Sequence, residues 1–170
     1  MTKPATLLAE ALEAWEHTRQ GLVAEAESIP AESYGFRPTP ESRTVAELAT
    51  HVVAVGLMAA GELSRPDGDF ARQSYEEHLR EYASHLAADL PKEELLELLR
   101  RSGKDCRDRI AEAGELAMLQ LIMRFDGKRG SRLAWLYHAV DHESYHRGQL
   151  ALYARLMGQE PALTSLIRSG

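Results

Sequence analysis

Apolar side chains recur with the 3.6-residue period of an α-helix along most of this chain, and that period sets its fold class. The first apolar stripe predicts a helix over residues 4–28, which Ile29-Pro30 ends. A second helix is predicted over residues 44–63. It begins at Thr44 and Glu47, which fit a capping box in which each side chain satisfies a backbone N–H at the helix start.

Later stretches of the chain follow the same helical pattern. Helices are predicted over residues 73–88, 91–113 and 131–157. Residues 116–125 fit either a short strand or a helical extension, and clear turn signals follow them. Several long amphipathic helices with short connections predict an all-α fold, namely a four-helix bundle with one additional helix and a short strand or hairpin near residues 116–130.

One domain over residues 1–170 is expected, because no repeat, low-complexity segment or linker divides the chain. Its 20 basic and 26 acidic residues give a net charge of −6, which leaves no basic excess to neutralise nucleic-acid phosphates. The lone Cys106 rules out an intrachain disulfide and fits a reducing compartment. The longest apolar run, residues 52–61, is shorter than the roughly 20 residues that span a bilayer, and the acidic first helix is unlike a signal peptide. We therefore expect a cytoplasmic protein with no nucleic-acid or membrane partner.

Three of the 7 histidines, His138, His142 and His146, lie in one short segment of the last predicted helix. Side chains four residues apart lie about 5–6 Å from each other on one helix face, so two imidazoles can bind one ion. The same stripe continues through apolar residues such as Trp135 and Leu150, so the three histidines are expected to face the bundle interior. Buried imidazoles need partners, which a metal ion or hydrogen bonds to buried carboxylates would provide.

One helix cannot complete a tetrahedral metal site, so another element has to supply a ligand. His51 is the candidate, because it lies on the apolar face of the second predicted helix. His17, His78 and His85 have charged neighbours and are predicted at the surface. A metal site is the favoured interpretation, and a set of hydrogen-bonded core histidines is the alternative.

The segment from His142 to His146 also matches the HExxH pattern of zinc proteases, in which Glu143 would be the general base. The longer form of that pattern needs a third histidine where this chain has Leu152. Glu160 lies in a predicted turn, and no further helix of useful length is expected after it. These departures disfavour a protease.

Three segments of the chain together resemble the DinB-like superfamily of metal-binding four-helix bundles, also called YfiT-type. The first combines the loop at residues 34–38 (YGFRP) with residues 43–51 (RTVAELATH). The second is residues 141–150 (DHESYHRGQL), and the third is the tail at 153–161 (YARLMGQEP). The combination covers most of the chain and is far more specific than a histidine pair alone.

The resemblance implies a divalent ion, nickel or zinc, held by His51, His142 and His146 and open to water or substrate. Tyr145 stands where many members have a further histidine, and it is assigned no ligand role. The resemblance also implies a homodimer and an activity that uses a low-molecular-weight thiol and an electrophilic substrate, as an S-transferase or an isomerase. Two alternatives stay open: a non-catalytic, structural metal-binding homodimer, and a metal-dependent hydrolase of small molecules.

Four neighbouring residues are candidates for catalytic or supporting roles. Asp141 and Glu143 lie about 100° from His142 around a helix, so each is better placed to accept a hydrogen bond from an imidazole than to bind the same ion. Arg147 can pair with Asp141 or with an anionic group of a substrate. His138 can carry a proton in the cavity, or it can be a hydrogen-bonded core residue.

Overall fold

This computed structural model describes residues 6–169, and its regular structure consists of helices and one short hairpin. The start of the first helix predicted at residues 4–5 lies outside the described residues. The helices are α1 (Leu7–Ser28), α2 (Val45–Ser64), α3 (Tyr75–Ala83), α4 (Lys92–Ala113), α5 (Glu115–Met118), α6 (Arg132–Leu156) and α7 (Ala162–Ser169). The strands β1 (Leu121–Met123) and β2 (Arg129–Ser131) pair in antiparallel register, with Leu121 opposite Ser131.

The ends of the long helices are set by local side-chain chemistry. The Thr44 backbone N–H donates to the Glu47 carboxylate at 2.7 Å, and the Glu47 N–H donates to Thr44 Oγ1 at 3.1 Å. This is the capping box expected at the start of α2. Gly158, with φ +77°, follows the end of α6, because glycine adopts this left-handed conformation without steric cost.

The four long helices α1, α2, α4 and α6 form the bundle, so the predicted fold class is confirmed. α2 packs against α4, and α1 packs against α6 and α4. By length and composition alone α2 could cross a membrane, yet 67% of its most apolar window is buried within the bundle. The fully buried side chains of the core include Trp15, Leu22, Leu48, Leu63, Leu95, Leu99, Ile110, Leu136 and Leu150.

The structure differs from the sequence-based expectations in its short elements. α3 is shorter than the predicted helix over 73–88, because residues 84–90 leave the helix in turns. Residues 116–125 divide between α5 and β1, so both possibilities left open for this stretch contribute. α7 forms where no further helix was expected, since the buried carboxylate of Glu25 accepts hydrogen bonds from two backbone N–H groups at its start.

His78 is completely buried, so the prediction that it lies at the surface is wrong. Its Nδ1 lies 3.5 Å from the buried carboxylate of Glu62 and 3.2 Å from the Gln73 amide, and its Nε2 lies 3.3 Å from the carbonyl oxygen of Phe70. Glu62 also accepts hydrogen bonds from Arg72 and from the Tyr82 hydroxyl. The neighbouring Glu77, Arg80 and Glu81, which suggested exposure, are themselves exposed, whereas the His78 ring faces the network that joins α3 to α2.

A buried ion pair joins α1 to α6 in the middle of the bundle. Arg19 is 3% exposed and Glu143 is 1% exposed. Arg19 Nε donates to Glu143 Oε2 at 2.7 Å, and Trp15 Nε1 donates to Glu143 Oε1 at 2.6 Å. Arg19 also donates to the Leu99 carbonyl oxygen on α4 at 2.8 Å. The pair therefore fixes three of the four long helices relative to one another.

Removing the guanidinium with Arg19→Met should lower the free energy of unfolding by about 3–5 kcal/mol, because Glu143 would stay buried without a compensating charge. Urea denaturation followed by circular dichroism measures the loss. The double variant Arg19→Met/Glu143→Leu is the matched control and should recover most of the lost free energy of unfolding. A loss below about 1 kcal/mol in the single variant, the size typical of a surface pair, would contradict this role.

Candidate metal centre

Three imidazoles from α2 and α6 meet at one point. His51 lies on the second turn of α2, and His142 and His146 lie one turn apart on α6. The Nε2 atom of His142 lies 3.1 Å from His51 Nε2 and 3.0 Å from His146 Nε2. One ring nitrogen from each of the three histidines lies within 4.8 Å of the others. The structure therefore brings together the three residues that the sequence analysis selected.

This arrangement fits a divalent ion. Imidazole nitrogens that share one ion at about 2.0–2.1 Å are separated by about 2.8–3.4 Å, depending on whether the angle at the ion is octahedral or tetrahedral. The two nitrogen–nitrogen separations, 3.1 and 3.0 Å, lie within this range. The group contains three side chains within residues 6–169, so an ion held there would keep at least one position for an outside ligand.

The surroundings of the three imidazoles favour their uncharged form. Burial lowers the pKa of His51 to about 4, and the nearby positive charge of Arg43 adds to the effect. Burial also lowers the pKa of His142 to about 3, with further contributions from His146 and His51. The pKa of His146 is lowered as well, again mainly by burial. Uncharged imidazoles are the form that binds a metal, so the ligands are ready at neutral pH.

Gln149 orients one of the ligands, and the sequence analysis missed it. Its Oε1 lies 2.6 Å from His146 Nδ1, so that nitrogen carries the proton and donates it. The Nε2 lone pair of His146 is then free to face the other histidines. The Gln149 amide also donates to the Tyr145 hydroxyl at 3.2 Å. Its position three residues after His146, one helical turn away, is the signal that could have identified it.

A cavity of about 390 Å³ adjoins His142. Its walls are mostly apolar and aromatic, and its polar side chains come from α6, including His138, Asp141 and Tyr145. The His138 ring lies on Trp135 with 4.4 Å between ring centroids. A small molecule held there would lie beside the histidine cluster. The apolar and aromatic wall residues are Val55, Met58, Ala59, Tyr75, Phe125, Trp135 and Ala139.

The four other candidate residues are divided between different surroundings. His138 and Asp141 line this cavity, and both are exposed. The prediction that His138 faces the bundle interior is therefore wrong. The Glu143 carboxylate is occupied by Arg19 and Trp15, so it accepts no hydrogen bond from an imidazole. Arg147 packs against Gly21 of α1 and lines a different cavity. Glu143 is therefore not placed to act as the base of an HExxH protease.

The chain belongs to the DinB superfamily. Residues 14–150 match the model of that family, which covers most of the bundle and includes all three histidines of the cluster. No curated protein matches the chain significantly in sequence.

Solved structures of other proteins share the fold at low sequence identity. YjoA, a DinB-like protein of Bacillus subtilis, is 20% identical with a TM-score of 0.67, over 88% of this chain and 92% of its own. YfiT of Bacillus subtilis, described as a probable metal-dependent hydrolase with an unusual four-helix bundle topology, is 14% identical with a TM-score of 0.66, over 94% of this chain and 93% of its own.

A third structure is a mutant of the mycothiol-dependent maleylpyruvate isomerase. It is 16% identical with a TM-score of 0.68, over 86% of this chain. The match covers 63% of the isomerase, so the chain corresponds to part of that protein. At these identities the likeness concerns the fold alone.

The metal-free protein should lose stability as the pH falls from about 6.5 towards 4. Unfolded histidines take up protons near their ordinary pKa of about 6.5. Folded His51 and His142 do so only near pKa 4 and 3. The unfolded state therefore binds more protons in this window, and the free energy of unfolding rises with pH. Urea denaturation of metal-stripped protein at several pH values measures the slope. The slope of the free energy of unfolding against pH should be shallower for His142→Asn and unchanged for the exposed His85→Asn. A wild-type free energy of unfolding that does not vary with pH in this window would contradict the prediction.

Elemental analysis of untagged protein should find about one divalent ion per chain, bound by the three imidazoles. His51→Ala removes the only α2 ligand and should lose the ion. His85→Ala, a histidine exposed on the segment after α3, should keep it. Metal retained by His51→Ala would show that α6 binds the ion without α2. An absence of metal after reconstitution would make the cluster a hydrogen-bonded core feature.

Proposed function

We propose that this protein is a divalent-metal-dependent enzyme that joins a low-molecular-weight thiol to an electrophilic small molecule, as an S-transferase or a thiol-dependent isomerase. One observation carries the proposal: three uncharged imidazoles converge beside a cavity of about 390 Å³, and no carboxylate from residues 6–169 belongs to their group. Three neutral ligands leave a divalent ion its full charge, which lowers the pKa of a thiol or water bound to it. Nickel or zinc is the ion we propose.

The thiol would have to come from outside the chain. Cys106 is 2% exposed, and burial raises its pKa to about 12, so it is neither accessible nor ionised at neutral pH. Since Cys106 is the one cysteine of the sequence, no other thiol of the chain can act as the nucleophile. The mycothiol-dependent isomerase among the structural neighbours supports this choice, because its own reaction depends on such a thiol.

Residues of this chain have distinct parts in the proposed activity. Gln149 holds the His146 ring so that its Nε2 faces the other two ligands. The aromatic wall, which includes Trp135 and Phe125, holds an apolar part of the electrophile and excludes water from one side. His138 lies on that wall, where its imidazole can give a proton to, or take one from, a bound substrate.

A metal-dependent hydrolase of small molecules is the second candidate. The description of YfiT favours it, since that neighbour shares the fold over almost its whole length. The same three ligands and cavity would serve water in place of a thiol. We further propose that the protein works in the cytoplasm as a homodimer, where cellular thiols are reduced.

Cobalt-substituted protein tests the choice between thiol and water. Addition of a low-molecular-weight thiol should change the visible absorption and add a sulfur-to-cobalt charge-transfer band, because the sulfur would bind the open position. The corresponding disulfide should have no effect, and His142→Ala should show neither cobalt binding nor the band. An unchanged spectrum with mycothiol, bacillithiol and glutathione would contradict thiol activation. Hydrolysis of small esters by that same protein would then favour the second candidate.

A further inference from the structure

A second cavity, formed mainly by α1 and α7, has no part in the site proposed above. It measures about 680 Å³ and lies between α1, α7 and the Arg147 side chain of α6. It shares no lining residue with the cavity beside His142. Its walls mix the apolar side chains of α7 and the small residues of α1, including Leu163, Leu166 and Ala24, with a polar rim that includes Gln20 and Ser28. Its size lies within the range of about 300–1,000 Å³ that is typical of small-molecule sites.

Arg147 supplies an unneutralised positive charge to this cavity. Its side chain makes no hydrogen bond and no ion pair with any residue from 6 to 169, which sets it apart from the buried and paired Arg19 on α1. The guanidinium lies against the backbone of α1 at Gly21. A Cβ atom at Gly21 would lie 2.4 Å from Arg147 Cζ, so the absence of a side chain there is what admits the guanidinium.

Two carboxylates that line cavities together with Arg147 are used by other groups. Glu25 is 1% exposed and accepts hydrogen bonds from the Ala162 and Leu163 N–H groups, at 2.8 and 3.1 Å. Glu160 lines the cavity but is paired with Arg168 at 2.9 Å. Arg147 is therefore left without an internal counter-ion, although two carboxylates lie on neighbouring segments.

α7 exposes its apolar side chains beside this charge. Leu163 is 43% exposed and Leu166 is 68% exposed, and none of the residues of α7 is buried. The Ala162 and Leu163 N–H groups donate to Glu25 and so hold the start of the helix, and α7 packs against α1. Apolar surface of this kind, placed next to a lone guanidinium, is complementary to a molecule with a negative head and an apolar chain.

We propose that this groove binds an organic carboxylate that carries an apolar chain. The carboxylate would pair with the Arg147 guanidinium, which presents parallel N–H donors to its two oxygens. The apolar chain of the bound carboxylate would lie between Ala24 of α1 and the leucines of α7. This site is separate from the metal centre. Binding of the carboxylate here does not depend on the metal-dependent activity proposed above.

Isothermal titration of the full-length protein with octanoate tests the proposal. Wild-type protein should bind octanoate. Octylamine, octanol and acetate should each bind at least about tenfold more weakly, because each lacks either the negative charge or the chain. Arg147→Gln should weaken octanoate binding by about 10- to 100-fold, the effect of losing a hydrogen-bonded charge. Arg80→Gln removes the same charge from exposed α3 and should bind as the wild type does. Octanoate binding that is absent, or equal in Arg147→Gln and wild type, would overturn the proposal.

Gly21→Ala provides a second variant that leaves every charge in place. The new methyl group would displace the guanidinium from α1, so octanoate should bind more weakly while metal content and helical content stay at wild-type values. Sedimentation velocity distinguishes the other possible occupant. If Leu166→Glu converts a wild-type dimer to a monomer and octanoate does not compete with dimer formation, then a second copy covers the groove and the proposal is wrong.

Discussion

The contact between the Arg19 guanidinium and the Glu143 carboxylate fixes the rotation of α6, and the position of the histidine cluster depends on that rotation. Glu143 points towards α1, where it also accepts a hydrogen bond from Trp15. Successive residues of a helix are rotated by about 100°, so His142 and His146 are then directed towards α2 and His51. Had α6 been free to rotate in an apolar core, nothing of comparable strength would have kept the two imidazoles on this side. A buried charge pair gives such specificity even where its net contribution to stability is small.

The bundle is built around this pair. Two apolar clusters lie on either side of it along the helices, one containing Trp15 and the other containing Leu22. Gly56 and Gly103 face the guanidinium, and a Cβ atom at Gly103 would lie 2.9 Å from Arg19 Cγ. The small residues leave room for a large cation in the centre of the bundle. The buried carboxylate of Glu143 is held by Arg19 and Trp15, so it does not join the three histidines of the neighbouring cluster.

The sequence was sufficient to predict the long helices and to select the cluster, since both depend on the helical period. An inward histidine on α2 and an inward pair on α6 have few ways to satisfy their nitrogens, and contact with one another is one of them. Other features depend on which helices become neighbours, which one chain's periodicity does not specify. His78 was wrongly predicted at the surface because its partner Glu62 lies on another helix. The Arg19–Glu143 pair spans 124 residues of sequence and left no local signal.

Consecutive residues of α6 belong to separate sites, and this follows from the same geometry. His146 belongs to the cluster facing α2, whereas Arg147, rotated by about 100°, lies against Gly21 of α1. A helix packed between two others can therefore carry a metal-binding histidine and a free guanidinium on adjacent residues. The ion at one site and the anion at the other would still not touch. Any displacement of Arg147 by a bound anion would act on the backbone that also carries His146. The Glu143 ion pair one turn earlier opposes rotation of that backbone, so the two sites are held on a common rigid element while remaining chemically distinct.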